Sequence, residues 1–225
     1  MAETDCDATA ATVRELTERG AATPAETLDA LRTCIEGERD SAKQRAYVLA
    51  YVAALDASQL ATETHRLLAH RDADVREAAY DALGELGPRV LPALEAPSTD
   101  RDRDVRWFAF EIASHLEGSE AIPVLLRGLR DEDFSIRWVA SNGLIAIGAA
   151  SVRPLLEALV TERPSLSFHS ASRRIFTRID ASSGLDEQVR ALAEALGRET
   201  TIVEAGPLAK DILERLFGGA GASRS

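Results

Sequence analysis

Asp100, Asp102 and Asp104 occupy alternate positions and Glu111 follows eleven residues after the first, the spacing of oxygen donors in a calcium loop. Such a loop needs Gly at its sixth position for the sharp turn. Val105 stands there instead, so the acidic run reads as a capped, solvated turn. The four histidines, His65, His70, His115 and His169, are scattered, and none is followed by Glu. There is no Gly-x-Ser-x-Gly elbow and no Gly-rich loop to cradle phosphate. No catalytic residue, no metal site and no cofactor are expected, and the chain is not read as an enzyme. Cys6 and Cys34 lack metal-ligand spacing and are expected to be reduced, structural thiols.

Composition narrows the partner. A chain of 225 residues with 45% hydrophobic and 28% charged residues can bury one or two domain cores. A formal net charge of -11 repels a phosphate backbone, so a nucleic-acid partner is not expected. Among 26 basic residues only Lys43 and Lys210 are lysines, a balance similar to that of proteins from high-salt cytoplasm; a high-GC genome is the alternative source of so much Arg and Ala. The longest apolar run, Ala46 to Leu55, is about half of a membrane span, and the acidic N-terminus is unlike a signal peptide. A soluble, cytoplasmic protein without a membrane partner is the expectation.

The elements that position any site repeat along the chain. Val75-Arg76, Val105-Arg106, Ile136-Arg137 and Phe168-His169 recur at 30 to 32 residues, and Gln44-Arg45 precedes them in register. From each anchor, apolar residues fall at offsets 0, 3, 4, 7, 8 and 11, the stripe of a helix with one buried face. A second pattern, aligned by Ala61, Pro92, Pro123 and Pro154, marks a helix start between successive stripes. Each unit is thus a helical hairpin. Asp72, Asp102 and Asp133, three residues before their anchors, are placed as N-caps.

The run Arg71-Asp72-Ala73-Asp74-Val75-Arg76 with the following Glu77 to Gly87 resembles a HEAT repeat of the short type found in phycobilin-lyase-like proteins. It recurs at Arg101 to Arg106 and Asp133 to Arg137, and the likeness extends over about residues 24 to 197. His169 in the Arg position and Ser165 in the cap position set the fifth unit apart. The resemblance implies an all-α solenoid of about five stacked hairpins whose second helices line a concave face. It also implies that Arg76, Arg106 and Arg137 pair with turn carboxylates of neighbouring repeats, a ladder with Asp72, Asp102 and Asp133. The His-Glu pairs of the HEAT-repeat deoxyhypusine hydroxylases are absent, as is the basic face of HEAT-like DNA glycosylases. Residues 1–22 are expected to be an N-terminal cap, 23–200 the solenoid, 201–217 a capping helix and 218–225 a disordered tail.

Nine of the eleven aromatic residues lie on second helices. Tyr80, Trp107, Phe110 and Trp138 take offsets 2 and 5, away from the core stripe and, by analogy with the family, on the concave surface. Trp107 and Trp138 are expected to be neighbours there. With Asn142, Arg173 and Arg174 they form the candidate partner-binding patch, since exposed Trp, Phe and Arg make binding hot spots. The expected function is a non-catalytic protein-protein scaffold or adaptor, monomeric in its free state, with a taxis or other signalling component as the partner that the resemblance suggests. The competing expectation is a phycobilin-lyase-like enzyme or accessory holding a tetrapyrrole in the same groove, and a third is self-association through the patch.

Overall fold

The computed structural model describes residues 5–116, 118–161, 165–183, 185–197 and 204–218. They are helical throughout, with no strand among them, and the helices pack in pairs. The chain divides into two compact units, Met1–Ile112 and Ala113–Ser225.

The first unit holds α1 (Cys6–Glu18), α2 (Ala25–Gly37), α3 (Ser41–Ala54), α4 (Ala57–Leu68), α5 (Ala73–Glu85) and most of α6 (Arg103–Ser114). α2 pairs with α3 and α4 with α5, and the second helices α3 and α5 stack on each other. Tyr47, Val48, Tyr51, Val75, Ala79 and Leu83 are buried along that stack. Before α6 the expected opening helix is a 3-10 helix, Gly87–Leu94, which packs on α4. The helix starts earlier than expected, with Pro88 in its first turn, so Pro92 lies in its interior, where its missing N–H cannot make an α-helical bond back to residue 88.

α1 packs on α2 and α3 through the buried Ala10 and Val13. Cys6 and Cys34 are joined in a disulfide with Cα atoms 5.7 Å apart, which corrects the expectation of free thiols. Two cysteines 28 residues apart are not neighbours in sequence; the return of α2 along α1 makes them so. The Tyr47 hydroxyl donates to Asp7 at 2.7 Å and Lys43 pairs with it at 3.4 Å, so α1 is held at three points.

The second unit holds α7 (Ile122–Gly128), α8 (Phe134–Ile147), α9 (Val152–Thr161), α10 (Leu166–Ser183), α11 (Glu187–Ala195) and α12 (Ala205–Phe217). α7 packs on α8, α8 on α10, and α12 on α9 and α11. The stretch Phe134–Thr161 has the length and hydropathy of a membrane span, but Gly148, at φ 74, ends α8 and a 3-10 turn reverses into α9. Neither helix alone has the ~20 residues needed to cross a bilayer. On α12 the buried face is Ala205, Ala209 and Ile212, while Leu208 and Leu216 are exposed. The expected C-terminal tail from Gly219 onward lies outside the described residues.

The turns before α5, α6 and α8 are built alike. Asp72, Asp102 and Asp133 each accept from the N–H two residues on, at 3.0, 2.8 and 2.8 Å, as capping residues should. The arginines that follow the anchors donate to carbonyls of their own turns. Arg76 donates to the carbonyls of His70 and Arg71, Arg106 to those of Asp100 and Arg101, and Arg137 to those of Asp131 and Glu132, all at 2.7–3.2 Å. Each guanidinium thus clasps its own turn, where carbonyls have no helical partner. Arg45 departs from this and ion-pairs with Asp81 on α5. Gln44, out of character in the apolar stripe, is buried and donates to Ile35 and Glu38 carbonyls, performing the clasp for its own hairpin.

Candidate partner-binding site

Asp100 is engaged on both oxygens, one accepting from the Asp102 N–H at 2.7 Å and the other 2.5 Å from Nε2 of His65. These contacts hold its carboxyl below the ordinary range, the Asp102 N–H contributing most. The acidic turn is therefore a structural junction between α4 and α6. Among the described residues no three His, Cys, Asp or Glu side chains converge on a metal-sized site.

The aromatic candidates divide. In the first unit Phe110 is 1% exposed, so its expected place on the binding face is wrong. Phe108, expected in the core, is half-buried between two rings, Tyr80 at 6.0 Å and Trp107 edge-on at 5.4 Å. Second helices bury not only the face toward their own hairpin partner but also the flanks against the next second helix, as α3 does on α5 and α8 on α10. Offset 5 falls on such a flank: Phe110 and its counterpart Ser141 are both buried. Burial also pushes the Tyr80 hydroxyl pKa up, with the nearby Glu111 and Asp81 adding to the shift.

In the second unit the rings point to solvent. Trp138 is 46% exposed and Phe134, in the first turn of the same helix, 67%, with their centroids 6.0 Å apart. Leu166 opens α10 at 59% exposure. These three, with Arg137, Arg174, Ser141 and small residues of α10, line an open groove of about 370 Å³ between α8 and α10. Elsewhere on α8, Gly143 allows a close approach to α7, since a Cβ there would lie 2.9 Å from the Cα of Ser114 and 2.8 Å from Leu125.

Arg174 is the polar centre of this groove. Its guanidinium carbon lies 3.7 Å from the centroid of the Trp138 ring, and Nη2 donates to Oδ1 of Asn142 at 2.6 Å. Nη1 is buried without a hydrogen-bond partner. Desolvation, with the charge of Arg178 adding to it, lowers its pKa from the ordinary arginine value. Arg137, clasping its turn, also lies 5.8 Å from the Phe134 ring. Of the expected patch, Trp138, Asn142 and Arg174 come together. Arg173 does not line the groove; its Nε and Cδ lie against Gly197, 3.0 and 3.4 Å from where a Cβ there would sit. Trp107 and Tyr80 belong to the first unit and are half-buried.

Phe134 and Leu166 were missed by the repeat pattern. Both stand two residues before an anchor, where the other repeats carry Ala73 and Arg103, and a large apolar residue in that first turn was the available signal.

No curated protein matches the chain. The family described as HEAT repeats matches residues 95–171, about a third of the chain, a stretch that runs from α6 through α8 to the first turns of α10. Residues 95–171 thus match HEAT repeats, and the described residues, helical and packed in pairs with capped, clasped turns repeated, are in keeping with an α-solenoid of HEAT-like repeats.

Proposed function

We propose that the protein is a non-catalytic interaction scaffold or adaptor that engages another protein on its second-helix face, at the groove of α8 and α10. One observation carries this reading: Trp138 and Phe134 stand exposed beside an arginine whose hydrogen-bonding capacity is not used up. HEAT repeats generally serve as protein-interaction scaffolds. Rigid paired helices supply such a surface without chemistry. The binding set is Phe134, Trp138, Asn142, Leu166 and Arg174; Phe110 and Arg173 leave it. A cytoplasmic setting in a haloarchaeon, a short phycobilin-lyase-like repeat type and a taxis or signalling partner belong to the same proposal.

The test is capture of partners from native lysate at the organism's own salt, comparing wild type with Trp138→Ala and Trp107→Ala. Loss of a specific partner with Trp138→Ala alone, at unchanged helical circular dichroism, supports the groove. Retention by Trp138→Ala overturns it.

A further inference from the structure

The α8–α10 groove is electrically unlike the rest of the chain. Against a formal net charge of -11, its lining contains Arg137 and Arg174 and no Asp or Glu. The Arg174 guanidinium has one edge committed to Asn142 and one nitrogen with nothing to donate to. A buried N–H left unpaired costs free energy until an acceptor arrives, and a carboxylate is the acceptor a guanidinium matches best. The groove that holds Arg174 joins an apolar side of Trp138, Phe134 and Leu166 to the hydroxyls of Ser141, Ser167 and Ser170. A volume of about 370 Å³ is near the lower end for ligand pockets and suits one or two side chains rather than a large cofactor.

Resting on the docking role proposed above, we infer that the occupant is an acidic segment of a partner polypeptide, with a carboxylate on Arg174 and an adjacent aliphatic or aromatic side chain between Phe134, Trp138 and Leu166. Asn142, whose Oδ1 is taken by Arg174, keeps its amide N–H groups for the second carboxylate oxygen. Because the indole lies over the guanidinium, entry of the carboxylate displaces Trp138, which at 46% exposure has solvent to move into. The association changes the environment of that ring and weakens with salt.

Random dodecamer display on the full chain, followed by titration of a selected peptide against Trp138 fluorescence in a Trp107→Phe background, tests this. Selection is expected to enrich Asp or Glu next to a large apolar residue. Replacing that acid by its amide, or introducing Arg174→Gln, is expected to weaken binding by about ten-fold or more. Asn142→Asp is the second variant: it supplies a resident carboxylate to Arg174 from an exposed position, so it blocks the acidic peptide without removing a packed side chain. Enrichment of basic or uncharged sequences, no enrichment at all, or unchanged affinity in both variants overturns the acidic occupant. If that happens while Trp138→Ala still loses its cellular partner, the docking role stands and only the chemistry of the occupant is wrong.

Discussion

In the first unit Phe108 sits between Tyr80 and Trp107 while Phe110 of the same helix is fully buried; in the second, Trp138 and Phe134 face solvent beside Arg174. Trp107 and Trp138 occupy corresponding repeat positions, yet the first is packed against Phe108 and the second is surface. The two units differ in residue size at offset 5, where the first carries Phe110 and the second Ser141, both buried. Ser141 lines the groove of α8 and α10. The offset of an aromatic residue on a second helix therefore does not by itself make it core or site.

The strongest way to break this contrast is Phe110→Ala. If the ring is core, truncation costs about 3–5 kcal/mol, read as a lower urea midpoint. A cost near zero would return Phe110 to the surface and erase the distinction between the units.

Next in size is the tether of α1, found only in the first unit among the described residues. Reduction, or Cys6→Ser with Cys34→Ser, is expected to lower stability by roughly 2–4 kcal/mol, the usual range for a closed loop of this length. Single-tryptophan variants locate the loss: Trp138→Phe leaves Trp107 to report on the first unit, and Trp107→Phe leaves Trp138 for the second. Detection of free thiols in the unfolded, unreduced protein would contradict the disulfide directly.

In the second unit Gly143→Ala forces a methyl against the Ser114 backbone and Leu125, and a cost of about 1–3 kcal/mol is expected. The Trp138 reporter should register this, because Trp138 and Gly143 lie on the same helix.

These contrasts also mark what the sequence made legible. Anchors Val75, Val105 and Ile136 are fully or nearly fully buried, and Asp72, Asp102 and Asp133 cap their helices, because both roles follow from local periodicity and local hydrogen bonding. Phe110 was misplaced because a stripe of one face describes a helix with one neighbour, and a stacked second helix has more. The Arg clasps were not foreseen, although carbonyls five and six residues back lie within reach of the same side chain. Cys6 and Cys34 meet only through the return of the chain, which spacing does not encode.

Acid separates the units in another way. In the first, Glu36 and Asp100 are both held below their ordinary pKa, Glu36 mainly by the hydrogen bond from His70 and Asp100 mainly by the Asp102 N–H with His65 next. A depressed carboxyl contributes stability that is present above the unfolded pKa, about 4, and lost as pH falls through the lower folded value. In the second unit the buried His169 has its pKa lowered by desolvation. There the unfolded state takes up the proton first, so stability falls as pH drops below about 6.5. Urea midpoints at pH 7.5 and 5.5 should therefore move for the Trp138 reporter. His169→Gln should remove the shift.

The smallest stability effect expected is that of Trp138→Ala, and it is the one that separates site from core. The indole is 46% exposed, so truncation gives up little burial, and the lost stacking on Arg174 is worth about 0.5–1 kcal/mol at an exposed position. Uncovering the guanidinium returns water to Nη1, which offsets part of that loss. A net change below about 1 kcal/mol in the urea midpoint, set beside the large cost of Phe110→Ala, would place the two rings in different classes. A cost for Trp138→Ala as large as that for Phe110→Ala would make both rings core, and the groove of α8 and α10 would lose its standing as a binding surface.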